Sequence, residues 1–457
     1  MNDNLEVIIL AAGLGTRMKS STIKILHRAA GRPIIDYVLD LAAGLSPNPP
    51  VMIVGHQRDV VQEAVGARAR YAVQEEQLGT GHAVLQAATV LASDKRVLIL
   101  SGDVPLTRPE TLQRLLDEHE RSGNALTLLT MKLAEPAMYG RIVRDGDGAV
   151  IRIVEAKDAS DAEKLIDEVN AGIYVFGGGH LFDNLRDLKP ANAQKEYYLT
   201  DLLATIRDAG HRVGAVVATD PVEALGVNSR ADLAAVENEI QRRVVAKLMG
   251  DGVTFRNPST VVIDSTVTIG ADSVVYPFVT LEGNTHIGRD CVIEPGVHLV
   301  DVTVGDNVHL KTGTVAEDAT VDDEAVVGPY AHLRPGTKLG RHVKVGNFVE
   351  TKKAVFGEGA KASHLSYIGD AEVGADANIG AGTITCNYDG VNKHKTIIEE
   401  GAFIGSDSQL VAPVRIGRGA YVGAGSTITK DVPAEALALS RTPQRVVEGW
   451  AAKKKKK

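Results

Sequence analysis

Cysteine is nearly missing from this sequence. Cys291 and Cys386 are the only two in 457 residues; they lie far apart and lack the paired spacing of a zinc site. Neither a disulfide framework nor a structural metal is indicated, and a reducing cytoplasm fits. Aromatic residues are scarce too, at 4% against 44% hydrophobic in all, so Val, Ile, Leu and Gly carry the construction. A basic excess is lacking: 50 Lys and Arg against 58 Asp and Glu give a net charge of −8, which argues against a general nucleic-acid binder. The one basic run, five lysines at 453–457, reads as a solvated tail. No apolar run is long enough to span a membrane. The run after Met1 is short, has no basic flank and enters a glycine loop at once, so it reads as a strand and not as a signal peptide.

What is present is a period of six. Ile263, Ile269, Val275, Leu281, Ile287, Ile293 and Leu299 keep that spacing. After a shift of register Val321, Val327, Leu333, Leu339 and Val345 resume it, and Ile404, Leu410, Ile416, Val422 and Ile428 carry it on. Six is neither the helical period nor that of an alternating strand, so the chain must turn a corner once per hexad. Three hexads make one triangular coil of a parallel β-helix, with each aliphatic residue inside the prism and small residues at the bends. The repeat is interrupted at 362–367 and by an expected loop over 385–403.

The first half follows another grammar. An apolar strand at 6–10 leads into Ala11-Ala12-Gly13-Leu14-Gly15-Thr16-Arg17, where glycines admit backbone N–H groups to a polyphosphate and Arg17 adds a permanent charge. A tight turn without a ligand is an equal reading of those glycines alone. Apolar runs at 51–54, 71–73 and 97–100 alternate with amphipathic segments at 34–43, 81–91 and 109–119, which predicts an α/β, doubly wound, mostly parallel sheet. Ligands of such sheets sit beyond the carboxyl ends of the strands, so Ser101-Gly102-Asp103 should face the glycine loop. Asp103 alone reads as a turn residue; beside a phosphate loop it becomes a magnesium ligand, with Asn228 as the second oxygen. Residues 231–249 carry a helical stripe, with Ser229 and Asp232 as a capping box. The domains are thus read as 1–229, a linking helix at 230–250, and a β-helix with its tail at 251–457.

Residues 10–18 with Lys24 resemble the signature of sugar-1-phosphate nucleotidyltransferases. Joined to hexapeptide repeats, the chain resembles the bacterial bifunctional family of N-acetylglucosamine-1-phosphate uridylyltransferases/glucosamine-1-phosphate acetyltransferases, from about Leu5 to Trp450. That resemblance implies a Rossmann-like nucleotidyltransferase domain and a left-handed β-helix in a homotrimer. It implies small-molecule substrates: glucosamine 1-phosphate, N-acetylglucosamine 1-phosphate, UTP and acetyl-CoA, with Mg2+. It puts uracil and ribose on Leu10, Ala11, Ala12, Gly13, Gln74, Gly79 and Thr80, beside Ser101, Gly102 and Asp103. Gly140, Glu155 and Asn170 would hold the sugar, Asp103 and Asn228 the magnesium ion, and Arg17 and Lys24 would neutralise charge as the sugar phosphate attacks the α-phosphorus. Glu196-Tyr197-Tyr198 also matches. The chain departs from the pattern at Ile23, where the family usually has Pro, at Ser101, where it has an aromatic residue, and at Ala171 and Lys195, where it often has Thr and Gly.

In the β-helix the same resemblance marks Arg334 and Lys352 as phosphate clamps, His364 as the base that takes the amine's proton, and Tyr367 and Asn378 as sugar-orienting groups. Asn387 and Tyr388 would close the site near the thioester. Ala381, Ser406 and Ala424 would leave a groove for acetyl-CoA, with Arg441 near its phosphates. Transfer is direct, since Cys386 has no activating partner nearby in sequence. The competing reading is a single-activity nucleotidyltransferase whose β-helix serves only for oligomerisation; a non-catalytic scaffold would not need the charges of Arg17, Lys24 and Asp103.

Overall fold

The computed structural model describes residues 4–454 apart from 14, 92, 93, 191 and 193, so Leu14 of the glycine loop and lysines 455–457 lie outside the described residues. The chain divides into two compact units, residues 1–240 and 241–457.

In the first unit the strand Leu5–Leu10 is an almost wholly apolar run, as a strand covered on both faces must be. It pairs in parallel with Val51–Val54 on one side and with Arg96–Ser101 on the other, and Arg70–Val73 extends the sheet beyond Val51–Val54. Helices Ile34–Leu45, Arg58–Val65, Thr80–Gln86 and Pro109–Ser122 supply the crossovers. The helix expected over 81–91 stops at Gln86 and finishes as a 3-10 turn, Ala87–Thr89, where β-branched Thr89 and Val90 follow. The sheet is mixed: Glu168–Phe176 runs antiparallel between Arg96–Ser101 and Leu126–Lys132. The chain reaches it through the antiparallel pair Arg141–Arg144 and Val150–Val154, which needs no crossover helix. Because the chain leaves Leu5–Leu10 on one side and returns on the other, the loops after Leu10 and Ser101 open next to each other.

The helix Arg230–Gly250 starts as its sequence predicts. Ser229 N donates to Asp232 Oδ2 at 2.8 Å and Asp232 N donates to Ser229 Oγ at 3.2 Å, the reciprocal bonds of a capping box.

The second unit is a left-handed β-helix of hexapeptide repeats. Ile263, Leu281, Leu299, Ala316 and Leu333 pair in register up one column. Ile269, Ile287, Val304, Val321 and Leu339 make the second, and Val275, Ile293, Leu310, Val327 and Val345 the third. All are buried. The register shift is two successive coils that each lack one residue, since Leu281 pairs with Leu299 at 18 residues but Leu299 with Ala316 and Ala316 with Leu333 at 17. Corners demand small residues: a Cβ on Gly346 would lie 1.8 Å from Ser363 O.

The loop expected over 385–403 is shorter than that. Ile384–Cys386 and Thr396–Ile398 are strands of the prism, because Thr396 and Ile398 point inward and are buried. Only the stretch between them departs, bridged by Tyr388 and Lys393. Tyr367 pairs with Ile384 but Ala371 with Thr396, which measures the insertion.

Candidate active sites

At the carboxyl ends of the first unit's strands lies a crevice of about 460 Å³. Leu10, Ala11, Ala12, Gly13, Arg17, Lys24, Gln74, Gly79, Thr80, Ser101, Asp103 and Asn228 line it. Gly15 adopts φ +62°, and a Cβ there would sit 2.9 Å from Lys24 Cβ; glycine lets the loop fold down onto the lysine. Lys24 forms a salt bridge with Asp103, and its ammonium also donates to Asn228 Oδ1 at 3.3 Å. Arg17 Nη2 donates to the same Asn228 Oδ1 at 2.8 Å. Val227 N donates to Asp103 O at 2.9 Å and ties the asparagine's segment to the aspartate's. Two fixed cations therefore meet two oxygen ligands in one place. Among the described residues no group of three or more His, Cys, Asp or Glu side chains could hold a metal. A carboxylate and an amide oxygen that already share one cation suit a magnesium ion that keeps its waters and phosphate oxygens.

Buried Gln74 donates through Nε2 to Gly79 O at 3.1 Å and lies 3.1 Å from His82 Nδ1. The Gly79 carbonyl takes one of its N–H groups, and Oε1 remains to accept from a base edge. Gly79 has φ +109°, and a Cβ would come within 2.6 Å of Tyr197 O. The Glu196-Tyr197-Tyr198 segment is the wall of this loop: Gly81 N donates to Tyr197 O and Tyr197 N to Leu78 O, both at 2.8 Å, while Leu199 N donates to Thr80 Oγ1 at 3.0 Å.

Gly140, Glu155 and Asn170 form a second cluster. Asn170 N donates to Gly140 O at 2.8 Å, the Glu155 carboxylate is 3.5 Å from where a Gly140 Cβ would be, and Thr200 Oγ1 donates to Glu155 Oε1 at 3.2 Å. Burial raises the Glu155 carboxyl above its usual range, with Thr200 opposing. Gly102 lines neither cluster; it packs beneath, its N–H donating to Leu10 O at 2.9 Å. Of the departures, Ile23 holds φ −59° and ψ 137°, the backbone a proline would fix. Ala171 is buried at the irregular pairing between Asn170 and Tyr174.

In the β-helix His364 is paired one coil back with Asn347, and its Nδ1 lies 2.6 Å from Asn347 Oδ1. An amide oxygen only accepts, so Nδ1 carries the proton and Nε2 presents the lone pair. The same register continues through Ala362–Ile379, Ile379–Ile404 and Ile404–Val422. It stacks His364, Ala381, Ser406 and Ala424 into one column, at whose far end Arg441 Nη1 donates to Ala424 O at 2.8 Å. Arg334 Nη1 donates to Glu350 Oε1 at 2.8 Å, Glu350 pairs with Tyr367, and Lys352 pairs with Gly369. The ammonium of Lys393, on the insertion, stands beside Lys352 and lowers its pKa, with Arg334 adding to the effect. Asn387 Nδ2 donates to Asp370 Oδ2 at 2.5 Å, whereas Tyr388 is exposed. Asn378 pairs with Lys361 at the other end of the His364 strand. Burial pushes the Cys386 thiol up, away from a nucleophilic thiolate. The sequence did not reveal Asn347 or Lys393. Counting back one coil from His364 finds the first; nothing local signals that the insertion returns Lys393 to Lys352.

Residues 6–221 match the family model for nucleotidyl transferases, and 266–301 and 395–430 match that of bacterial transferase hexapeptide repeats. Fold and crevice thus define a nucleotidyl transferase joined to a hexapeptide-repeat transferase. The chain is 54% identical to the bifunctional protein GlmU of Syntrophotalea carbinolica, over 98% of this chain and 97% of that one. It is 51% identical to that of Pelobacter propionicus over the whole of both, and 50% identical to that of Carboxydothermus hydrogenoformans over 96% and 98%. This chain belongs to the bifunctional GlmU family.

Proposed function

We propose the following division of labour for the family's two transfers on the way to UDP-N-acetylglucosamine. Residues 251–457 move acetyl from acetyl-CoA to glucosamine 1-phosphate, residues 1–229 then move uridylyl from UTP to the product with release of pyrophosphate, and the helix at 230–250 lies between them in the chain. The observation that carries this reading is the meeting of Arg17 and Lys24 with Asp103 and Asn228 at the strand ends.

In the uridylyl step Gln74 Oε1 accepts from the uracil, and Glu155 and Asn170 take sugar hydroxyl and amide groups. Asp103 and Asn228 would hold a magnesium ion, which would supply charge neutralisation at the triphosphate. A phosphate oxygen of the sugar 1-phosphate attacks the α-phosphorus in line with the departing pyrophosphate, and Arg17 and Lys24 offset the charge that gathers on the oxygens. In the acetyl step Arg334 and Lys352, with Lys393, hold the sugar phosphate. His364 Nε2 removes a proton from the amine as it attacks the thioester carbonyl, and that proton leaves with the departing thiol. Tyr367, Asn378, Asn387 and Tyr388 orient the sugar and close the site, and the column of Ala381, Ser406 and Ala424 leads the coenzyme to Arg441.

A homotrimer belongs to this reading. Lys352 and Tyr367 lie on one sheet of the prism and His364 on another, so a neighbouring copy can complete each site. No described helix is long and apolar enough to cross a membrane, and the cytoplasm is where UTP and acetyl-CoA are found.

The test is product analysis by mass spectrometry with glucosamine 1-phosphate, UTP and magnesium, with and without acetyl-CoA. UDP-N-acetylglucosamine formed only with acetyl-CoA is the expected result. Turnover of supplied N-acetylglucosamine 1-phosphate without any acetylation of glucosamine 1-phosphate would reduce the β-helix to an oligomerisation device.

A further inference from the structure

A second open cavity, of about 480 Å³, lies in the first unit at the amino ends of the strands whose carboxyl ends hold the crevice, and neither transfer uses it. The register brings its walls together. Arg96 opens the strand that ends at Ser101; Val97 pairs with Phe176, Phe176 with Leu126, and Leu126 with Val213. The residues just outside those pairs, Arg96, Gly177, Ala125 and Arg212, therefore face one space, which His180 and His211 also line. The space is rich in cations and poor in counterions. The Arg96 side chain is 16% exposed, and its Nε–H is buried with no hydrogen-bond partner among the described residues. Its Nη1 donates to Glu120 Oε2 at 3.3 Å, but that carboxylate is 72% exposed and free to swing away. Glu118, near enough to feel the charge of Arg212, is taken by Arg121 and Ser122. The His180 and His211 rings stand edge to face with centroids 4.4 Å apart. Burial, then the facing His211, lowers the pKa of His180; burial, then Arg96, pushes that of His119 in the wall down to about 4. A further positive charge is unwelcome there until an anion supplies its counterion.

We propose that this cavity binds the phosphoryl group of a small ligand. Its donors converge from three segments: Arg96 at the start of one strand, His180 in the loop after Glu168–Phe176, and His211 with Arg212 on the approach to Val213–Val217. Donors that arrive from three directions suit a tetrahedral oxyanion better than a planar carboxylate, and a guanidinium grips it with two N–H groups. Gly178 lets the wall close in, since a Cβ there would lie 2.0 Å from Asp94 O. The volume exceeds that of the ion, so room remains for an organic remainder. The site is independent of the division of labour proposed above.

The chain has 13 histidines, few enough for imidazole resonances of the histidine-labelled full-length protein to be followed by NMR, and His180→Gln and His211→Gln assign the two of this cavity. Inorganic phosphate, without magnesium, is expected to shift both resonances saturably, where sodium chloride of equal ionic strength does not. Arg212 is exposed, so Arg212→Gln should leave both transfer activities intact while weakening that titration about tenfold. Glucose 6-phosphate that binds more tightly than phosphate identifies an organic phosphate as the ligand, and the reverse identifies the free ion; both support the site. The proposal is overturned if neither compound moves the two resonances, if sodium chloride moves them equally, or if Arg212→Gln titrates like the unaltered protein. It is likewise overturned if zinc shifts them and phosphate does not, which would make the imidazole pair a metal site.

Discussion

The two units assemble their chemistry in opposite ways. In the α/β unit the groups that meet are remote in sequence: Arg17 and Asn228 are 211 residues apart and Lys24 and Asp103 are 79 apart. In the β-helix the groups that meet are one coil apart, as His364 and Asn347 are at 17 residues. A doubly wound sheet collects loops at a switch point and lets folding decide which side chains face one another. A solenoid places every residue above its predecessor, so position along the chain is already position in the site. Function in the first arises from closure, and in the second from departures from a repeat.

The largest expected effect separates the two units. Asp103→Ala removes the carboxylate that Lys24 holds and should lower uridylyl transfer by about a thousandfold, since it removes a charged participant in phosphoryl chemistry, while acetylation stays unchanged. His364→Ala should do the reverse, with a loss on the order of 10²–10⁴ in acetyl transfer, the range of a general base. Separate rate assays of the two half-reactions read both. If either folded variant lost both activities, the comparison itself would fail.

A smaller effect tests the rule of one coil. Asn347 touches His364 but no reacting atom in this reading, so it is a positioning residue. Asn347→Ala frees the imidazole to choose its tautomer and should lower the acetyl kcat by roughly tenfold with little change in KM for glucosamine 1-phosphate. Asn347→Asp, which keeps an acceptor at Nδ1, should restore most of the rate and shift the pH profile to higher pH, because a carboxylate stabilises the imidazolium. A profile that does not move in the aspartate variant would show the contact to be merely structural.

The same contrast governs what could be read from the sequence. The period of six exposes the prism, its inward columns and the shift of register after Leu299, because one side chain per hexad is all that the geometry asks. The edges of the insertion are hidden in the sequence because Thr396 resumes the inward position as a polar residue. In the first unit, strand ends and the glycine loop were legible because backbone grammar is local. The antiparallel strand Glu168–Phe176 was not, since nothing within it differs from a parallel one. Nor was the bond of Arg17 to Asn228, which exists only once the chain has closed. Family resemblance named those residues, and the structure brings them together.

The smallest effect concerns the left-handed backbone. In the first unit Lys195 adopts φ +56° where the family often has glycine. Its turn is held by a neighbour: Asn192 Oδ1 accepts from Gln194 N at 3.2 Å and from Glu196 N at 3.1 Å. The Lys195 side chain is thus incidental to a strained position, and Lys195→Gly trades about 1 kcal/mol of steric relief against the greater freedom of an unfolded glycine. The net is a gain of roughly 0.5 kcal/mol, read as a small rise in the unfolding midpoint with uridylyl kcat unchanged. In the β-helix Asp301 adopts φ +53°, but there Oδ1 accepts from Asn284 N at 2.8 Å across the coil. Asp301→Gly should therefore destabilise, by about 1 kcal/mol, because the lost hydrogen bond outweighs the strain removed. Opposite signs for one exchange at nearly the same φ would show that a corner residue of the solenoid is selected for what its side chain bonds, and the turn residue of the sheet only for its backbone. Equal signs would mean that strain alone decides both.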